Sequence, residues 1–131
     1  MAFHFRVLPI VALVALMVLA GCRSAAIYNV DNSSINGTED VAIEDVEQAI
    51  MRAGQDLGWQ MDKKEEGHII ATLDIRDHQA VVDIRHNTET YSIEYRDSTN
   101  LSYRNGNIHS NYNGWVENLE QRINSNISLL M

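Results

Sequence analysis

Residues 59–96, WQMDKKEEGHIIATLDIRDHQAVVDIRHNTETYSIEYR, alternate apolar and polar side chains through four short runs separated by turn formers. Alternation with period two is the mark of a half-buried strand. In the first run Trp59, Met61 and Lys63 alternate with Gln60, Asp62 and Lys64, and Glu65-Glu66-Gly67 fits a three-residue hairpin loop with glycine at the left-handed position. Pairing Lys64 with His68 places Met61 opposite Ala71 and Trp59 opposite Leu73. A turn at Asp77-His78 then places Ile75 opposite Ala80, Leu73 opposite Val82 and Ala71 opposite Ile84. A further turn near Asn87-Thr88 brings Tyr91, Ile93 and Tyr95 onto the same face. Three hairpins read from turn chemistry thus agree on one apolar face, and a slip of one residue in any of them would destroy the agreement.

A sheet with one apolar face needs cover, and two flanking segments supply it. Before the strands, Ile43, Val46, Ile50, Ala53 and Leu57 recur at spacings of three and four, with Thr38 as the expected N-cap and Gly58 as the stop. Gly54 lies inside this stripe, where glycine costs about 1 kcal/mol relative to alanine, so it is expected to mark close packing on the sheet. After the strands, Val116, Leu119, Ile123 and Ile127 form a second stripe in a helix starting near Ser110 or Asn111. Its end is expected to fray over residues 128–131. The expected fold is a two-layer α+β domain: a helix, a four-stranded antiparallel meander, then a second helix, both helices on the apolar face. Ile27, Tyr28 and Val30 offer an additional N-terminal edge strand.

The N-terminus has a different composition. His4 and Arg6 precede an apolar run from Val7 to Ala20, broken only by Pro9, which is shorter than the roughly 20 apolar residues a spanning helix needs. It ends in Leu19-Ala20-Gly21-Cys22, which contains the only cysteine of the chain. This ending resembles the lipobox of bacterial lipoproteins. The resemblance implies cleavage after Gly21 and acylation of Cys22, which becomes the N-terminus of the mature protein. The expected organisation is a signal peptide over 1–21, a lipidated tether over 22–37 rich in Asn, Ser and Gly, and one domain over 38–131. Arg23 and Ser24 follow the cysteine, with no aspartate to signal inner-membrane retention. By the family's rule the destination is the outer membrane, facing the periplasm, with the membrane itself as a partner through the acyl chains.

Charge excludes one class of partner. The chain carries −8, and removing residues 1–21 takes away one arginine and no acid, leaving −9 on the mature part. Such a domain is repelled by nucleic acid, and its attachment to a membrane would come from acyl chains instead of a basic patch.

Few residues invite a chemical reading. Asp74, Arg76, Asp83, Arg85, Glu94 and Arg96 share the second sheet face, where interleaved signs read as solvated cross-strand pairs. The mature histidines, His68, His78, His86 and His109, lack the spacing of converging metal ligands, and His86 is placed on the apolar face. Asp97, Ser98 and His109 could be drawn as a triad, but there is no G-x-S-x-G elbow. No catalytic residue, metal or cofactor is therefore assigned, and an enzyme is not expected.

The densest group of uncommon residues is Tyr91, Tyr95, Tyr103, His109, Tyr112 and Trp115. Tyr91 and Tyr95 read as core, Trp115 as buried with them, and Tyr103, His109 and Tyr112 as a candidate partner surface. The segment from Tyr95 through Asn100-Leu101-Ser102-Tyr103 and Ile108-His109 to Tyr112, Trp115 and Leu119 also resembles small, uncharacterised proteobacterial lipoproteins, a resemblance silent about activity. The expected role is a non-catalytic binding or structural module contacting another envelope protein or the cell wall. The alternative is an inhibitor or immunity-type lipoprotein that blocks a periplasmic hydrolase or toxin with the loop from Asn100 to Asn107.

Overall fold

The computed structural model describes residues 23–35, 37 and 40–131; the lipobox residues Gly21 and Cys22 and the expected N-cap Thr38 lie outside them. Within the described residues the elements are β1 (Ser24–Ala26), β2 (Val30–Ser34), α1 (Ile43–Asp56), β3 (Gln60–Glu65), β4 (His68–Ile75), β5 (His78–His86), β6 (Thr90–Thr99), β7 (Asn107–His109) and α2 (Ser110–Ser128). The architecture is α+β. Strands β2-β6-β5-β4-β3, in that order, form an antiparallel sheet, and β1 pairs with β7 in a second, two-stranded one.

One apolar core forms where the two helices cover the sheet. Ile69, Ala71, Leu73, Ala80, Val82, Ile84, Tyr91 and Ile93 come from the sheet, Val46, Ile50 and Ala53 from α1, and Val116, Leu119, Ile123 and Ile127 from α2. Each fully buried branched side chain contributes about 1.5–3 kcal/mol of transfer free energy, so the two helical stripes and the strand alternation together supply the driving force for this layering. Gly54 marks a close approach, as its position implied. A Cβ there would sit 2.6 Å from Met61 Cε on β3. Helix α1 then closes with Gly58 in the left-handed region (φ +89°). Gly58 N–H donates to Gln55 O at 3.1 Å and Trp59 N–H to Gly54 O at 2.9 Å, which satisfies two of the carbonyls the helix end would leave bare.

The hairpins keep the expected faces but differ in register at two places. Met61 lies opposite Ala71 as expected, while at the tip Glu65 pairs with His68 and Lys64 is bulged out. Between β4 and β5 the turn is Arg76-Asp77, with Arg76 at φ +56°, and Ile75 pairs with His78 instead of Ala80. Leu73 therefore meets Ala80 and Ala71 meets Val82. This is a displacement of two residues, which leaves every side chain on its original face. Asn87 closes the next turn by accepting hydrogen bonds on Oδ1 from the N–H groups of Glu89 and Thr90, at 2.7 and 2.8 Å. Farther along β6, Arg96 is an extra residue between the pairs Val82–Tyr95 and Val81–Asp97.

Three expectations need correction. Within the segment 22–37 the described residues are not a free tether, because β1 and β2 lie in it and Val30 and Ile35 are buried. Its asparagines read as coil formers, yet they complete the edge of β6. Asn29 Oδ1 accepts the Tyr95 N–H at 3.1 Å, and the Asn32 N–H donates to Ser92 Oγ at 2.9 Å. The first helix starts at Ile43 with Ala42 at its N-cap and no side-chain cap. Finally, the loop expected from Asn100 to Asn107 is closed in by strands at both ends: β6 runs up to Thr99, and Asn107 begins β7, which leads directly into α2.

Candidate functional site

Tyr95, Tyr103, His109, Tyr112 and Trp115 gather at one end of the sheet around residues 100–107, whereas Tyr91 lies at the other end of β6, where its hydroxyl donates to Asn124 Oδ1 at 2.6 Å. Over residues 100–107 the backbone adopts left-handed conformations at Asn100 (φ +60°), Ser102 (φ +54°), Asn105 (φ +51°) and Gly106 (φ +77°). Asparagine and glycine tolerate this region, whereas serine is strained in it, so surrounding contacts must hold the loop in place. Those contacts are present. Arg104 and Asn107 exchange both backbone hydrogen bonds at 2.9 Å, closing a two-residue Asn105-Gly106 turn. His109 N–H donates to Leu101 O at 2.9 Å, and Leu101 itself is buried in the core.

On this frame Tyr103 stacks on Tyr95, with ring centroids 4.3 Å apart and planes inclined by 19°. Tyr95 in turn meets the edge of Tyr112 at 5.7 Å and 70°. Tyr103 is 48% exposed while Tyr112 is fully buried. The three rings thus form a column that begins in the core and ends at the surface. Tyr95 shares a hydrogen bond with Ser98 Oγ at 2.8 Å, and burial pushes its phenol above the ordinary pKa. Beside the column, His78 contacts Asn100 O through Nδ1 at 2.7 Å and lies 6.4 Å from the half-buried Trp115 ring. Trp115 continues into a shallow groove lined by Leu57, Trp59, Leu73 and Ile75.

The candidate surface residues therefore part company. Tyr103 is at the surface. Tyr112 is not, because the first turn of α2 points it into the core, where its hydroxyl has no hydrogen-bond partner. His109 is half-buried and accepts the Asn111 N–H on Nδ1 at 3.2 Å, acting as the N-cap of α2. Trp115 and Tyr95, expected to be buried, are each partly exposed. The residues drawn as a triad have other partners: Ser98 Oγ is bonded to Tyr95, Asp97 Oδ1 accepts from the Ser98 N–H at 2.8 Å, and His109 caps the helix.

Two polar groups lie on the faces the alternation gives them, with partners that only the structure supplies. On the outer sheet face Asp83 Oδ1 is shared by His68 Nε2 at 2.6 Å and Arg96 Nη1 at 3.0 Å. Burial alone would raise the Asp83 carboxyl, but His68 and Arg96 outweigh it and hold the pKa below the usual value. The cue was the diagonal relation of His68 to Asp83 across β4 and β5, legible only once that register is known. Of the other charges expected there, Asp74 accepts from Gln79 Nε2 at 2.9 Å and Arg76 sits in the turn.

The second group is internal. The His86 side chain is wholly buried on the apolar face, with neither ring nitrogen hydrogen-bonded; Nε2 lies 3.8 Å from Glu47 of α1, whose other oxygen is 3.1 Å from Lys63 Nζ. Burial pulls the His86 pKa below 6.5; Lys63 adds to this and Glu47 and Glu66 oppose it. A histidine whose folded pKa is depressed binds its proton more readily when unfolded, so stability is full above the unfolded pKa and declines below it. Urea unfolding followed from about pH 7.5 to 5 should therefore show a loss of stability beginning near 6.5. His86→Gln should flatten that decline. An unchanged pH profile in the variant would place the titration elsewhere.

Among the described residues no three His, Cys, Asp or Glu side chains converge as metal ligands, and no helix is long and apolar enough to cross a membrane. The sequence matches no protein-family model, no curated protein and no solved structure.

Proposed function

We propose that the protein is a lipoprotein of the bacterial envelope, anchored through acyl chains on Cys22 to the periplasmic face of the outer membrane. It acts there as a non-catalytic binding or structural module. The observation that carries the binding role is the Tyr112–Tyr95–Tyr103 column, an aromatic surface held rigidly from the core outward on a hairpin fixed by backbone hydrogen bonds. An exposed ring already ordered in the free protein loses little conformational entropy on contact, which favours recognition. The hairpin from Asn100 to Asn107 is tied down by Leu101 and by the pairing of β7 with β1, so it fits a flat contact better than insertion into a cleft. Support for the anchor comes from the lipobox that follows the apolar run.

Mass spectrometry of protein extracted from membranes should find an acylated Cys22 at the N-terminus, and Cys22→Ser should accumulate as unprocessed precursor. A mature product that retains Met1 would overturn the reading.

A further inference from the structure

Ser24, two residues after the expected anchor Cys22, lies at the same end of the domain as the aromatic surface. Only Arg23 separates Cys22 from Ser24, and Ser24 is already paired with His109. A residue spans at most about 3.6 Å, so an acylated Cys22 would lie within about 7 Å of the first residue of β1. That strand does not swing freely. Ile27 N–H donates to Gly106 O at 2.9 Å, Asn113 Nδ2 donates to Ala26 O at 2.9 Å, and Tyr28 N–H donates to Asn113 Oδ1 at 2.9 Å.

Hydrogen bonds lead from this point directly to the aromatic group. His109, paired with Ser24, donates to Leu101 O; the adjacent Asn100 O contacts His78, and His78 lies against Trp115. Tyr103 stands two residues beyond Leu101 and is nearly half exposed. Tyrosine and tryptophan combine an apolar ring with a polar tip, and such side chains concentrate at the headgroup level of bilayers.

The charge pattern is compatible with that placement. Arg23, Arg76 and Arg104 at this end and its hairpin balance Asp74, Asp77 and Asp97, of which Asp77 accepts from Asn100 Nδ2 at 3.1 Å. The −9 of the mature chain therefore resides on the remainder of the domain, including Glu117 and Glu120 farther along α2. An acidic protein held so close to anionic lipid would be repelled if its charge faced the surface.

We infer that the aromatic end of the domain, with Tyr103 at its tip, rests on the phospholipid headgroups of the membrane that carries the anchor. Lipid is thus the partner of the surface assigned above, and the inference depends on the acylation of Cys22. The consequence is a fixed orientation: the outer sheet face and the far end of α2 remain open to the periplasm.

The test uses the lipidated protein reconstituted into vesicles of phosphatidylethanolamine and phosphatidylglycerol. Because the sole cysteine is the acylated one, Tyr103→Cys introduces a single free thiol for an environment-sensitive fluorophore. Arg104→Cys in the same hairpin gives a second probe, and Ser125→Cys on the exposed far end of α2 gives the control. At 103 and 104 the emission should shift to the blue and quenching by aqueous iodide should fall several-fold relative to 125. Equal quenching at all three positions, in protein that floats with the vesicles, would overturn the inference and leave the anchor intact. Protection that grows with the protein-to-lipid ratio would assign the surface to a second copy of the chain. Protection found in native membranes but not in vesicles would assign it to another envelope protein. Either would also overturn the inference. Absence of acylation at Cys22 would remove the anchor reading itself, and this inference with it.

Discussion

Tyr112→Phe should stabilise the domain, and Tyr112→Ala should destabilise it by about 3–5 kcal/mol. Both expectations follow from one side chain. The ring is fully buried in the core and takes the edge contact with Tyr95, while the hydroxyl has no hydrogen-bond partner. In the unfolded chain that hydroxyl is hydrated, so burying it unpaired costs about 1–3 kcal/mol, which phenylalanine avoids while keeping the ring contacts. Burial also raises the phenol pKa, since a phenolate there would be still less well accommodated. Alanine loses the ring and leaves a cavity. Urea midpoints at constant m-value report both changes. If Tyr112→Phe is less stable than the parent, the hydroxyl is satisfied, for example by an internal water.

The two tryptophans should separate by a similar margin. Trp59, directly after the turn that ends α1, is 4% exposed and packs in the core; Trp59→Ala is expected to cost about 3–5 kcal/mol. Trp115 is only partly buried, packed between His78 and the rim of the core, so Trp115→Ala is expected to cost under about 2 kcal/mol. Thermal melts of both variants measure the contrast directly. Equal losses would mean that Trp115 is a core residue in solution and that the groove beside Ile75 is closed. The comparison matters for the anchored reading, because only a Trp115 with an open face can meet a headgroup layer.

The division between the two tryptophans shows where sequence reading reaches its limit. Both are followed by regular apolar spacing, and nothing local to either position separates 4% exposure from partial exposure. The same holds for Tyr103 and Tyr112. Closeness in sequence and like chemistry group them as one surface, but Tyr112 falls on the inward stripe with Val116 and Leu119. That stripe could have been extended back one turn from sequence alone, and doing so would have withdrawn Tyr112 from the surface.

In the N-terminal segment the sequence offers one edge strand around Ile27, Tyr28 and Val30, whereas the structure forms two, β1 and β2. Residues 24–34 carry little apolar periodicity, and Asn29 and Asn32 favour turns in isolation. They are ordered because β6 and β7 present unpaired backbone edges that β2 and β1 complete. Edge pairing is recognised through the partner, which lies some sixty residues or more away along the chain.

By itself the sequence determined the fold class, the apolar face of each strand, the inward stripes of both helices and the close packing at Gly54. These are local, periodic or steric properties, carried by side-chain order and by the φ values a residue tolerates. Only the tertiary structure decided the register of β4 on β5, the joining of residues 24–34 to the sheets, the burial of Tyr112 and the meeting of His68, Asp83 and Arg96. A period-two pattern is unchanged by a shift of two residues, so alternation fixes faces and leaves alignment open. Turn geometry at Arg76-Asp77 and packing between distant segments choose among the alignments that remain.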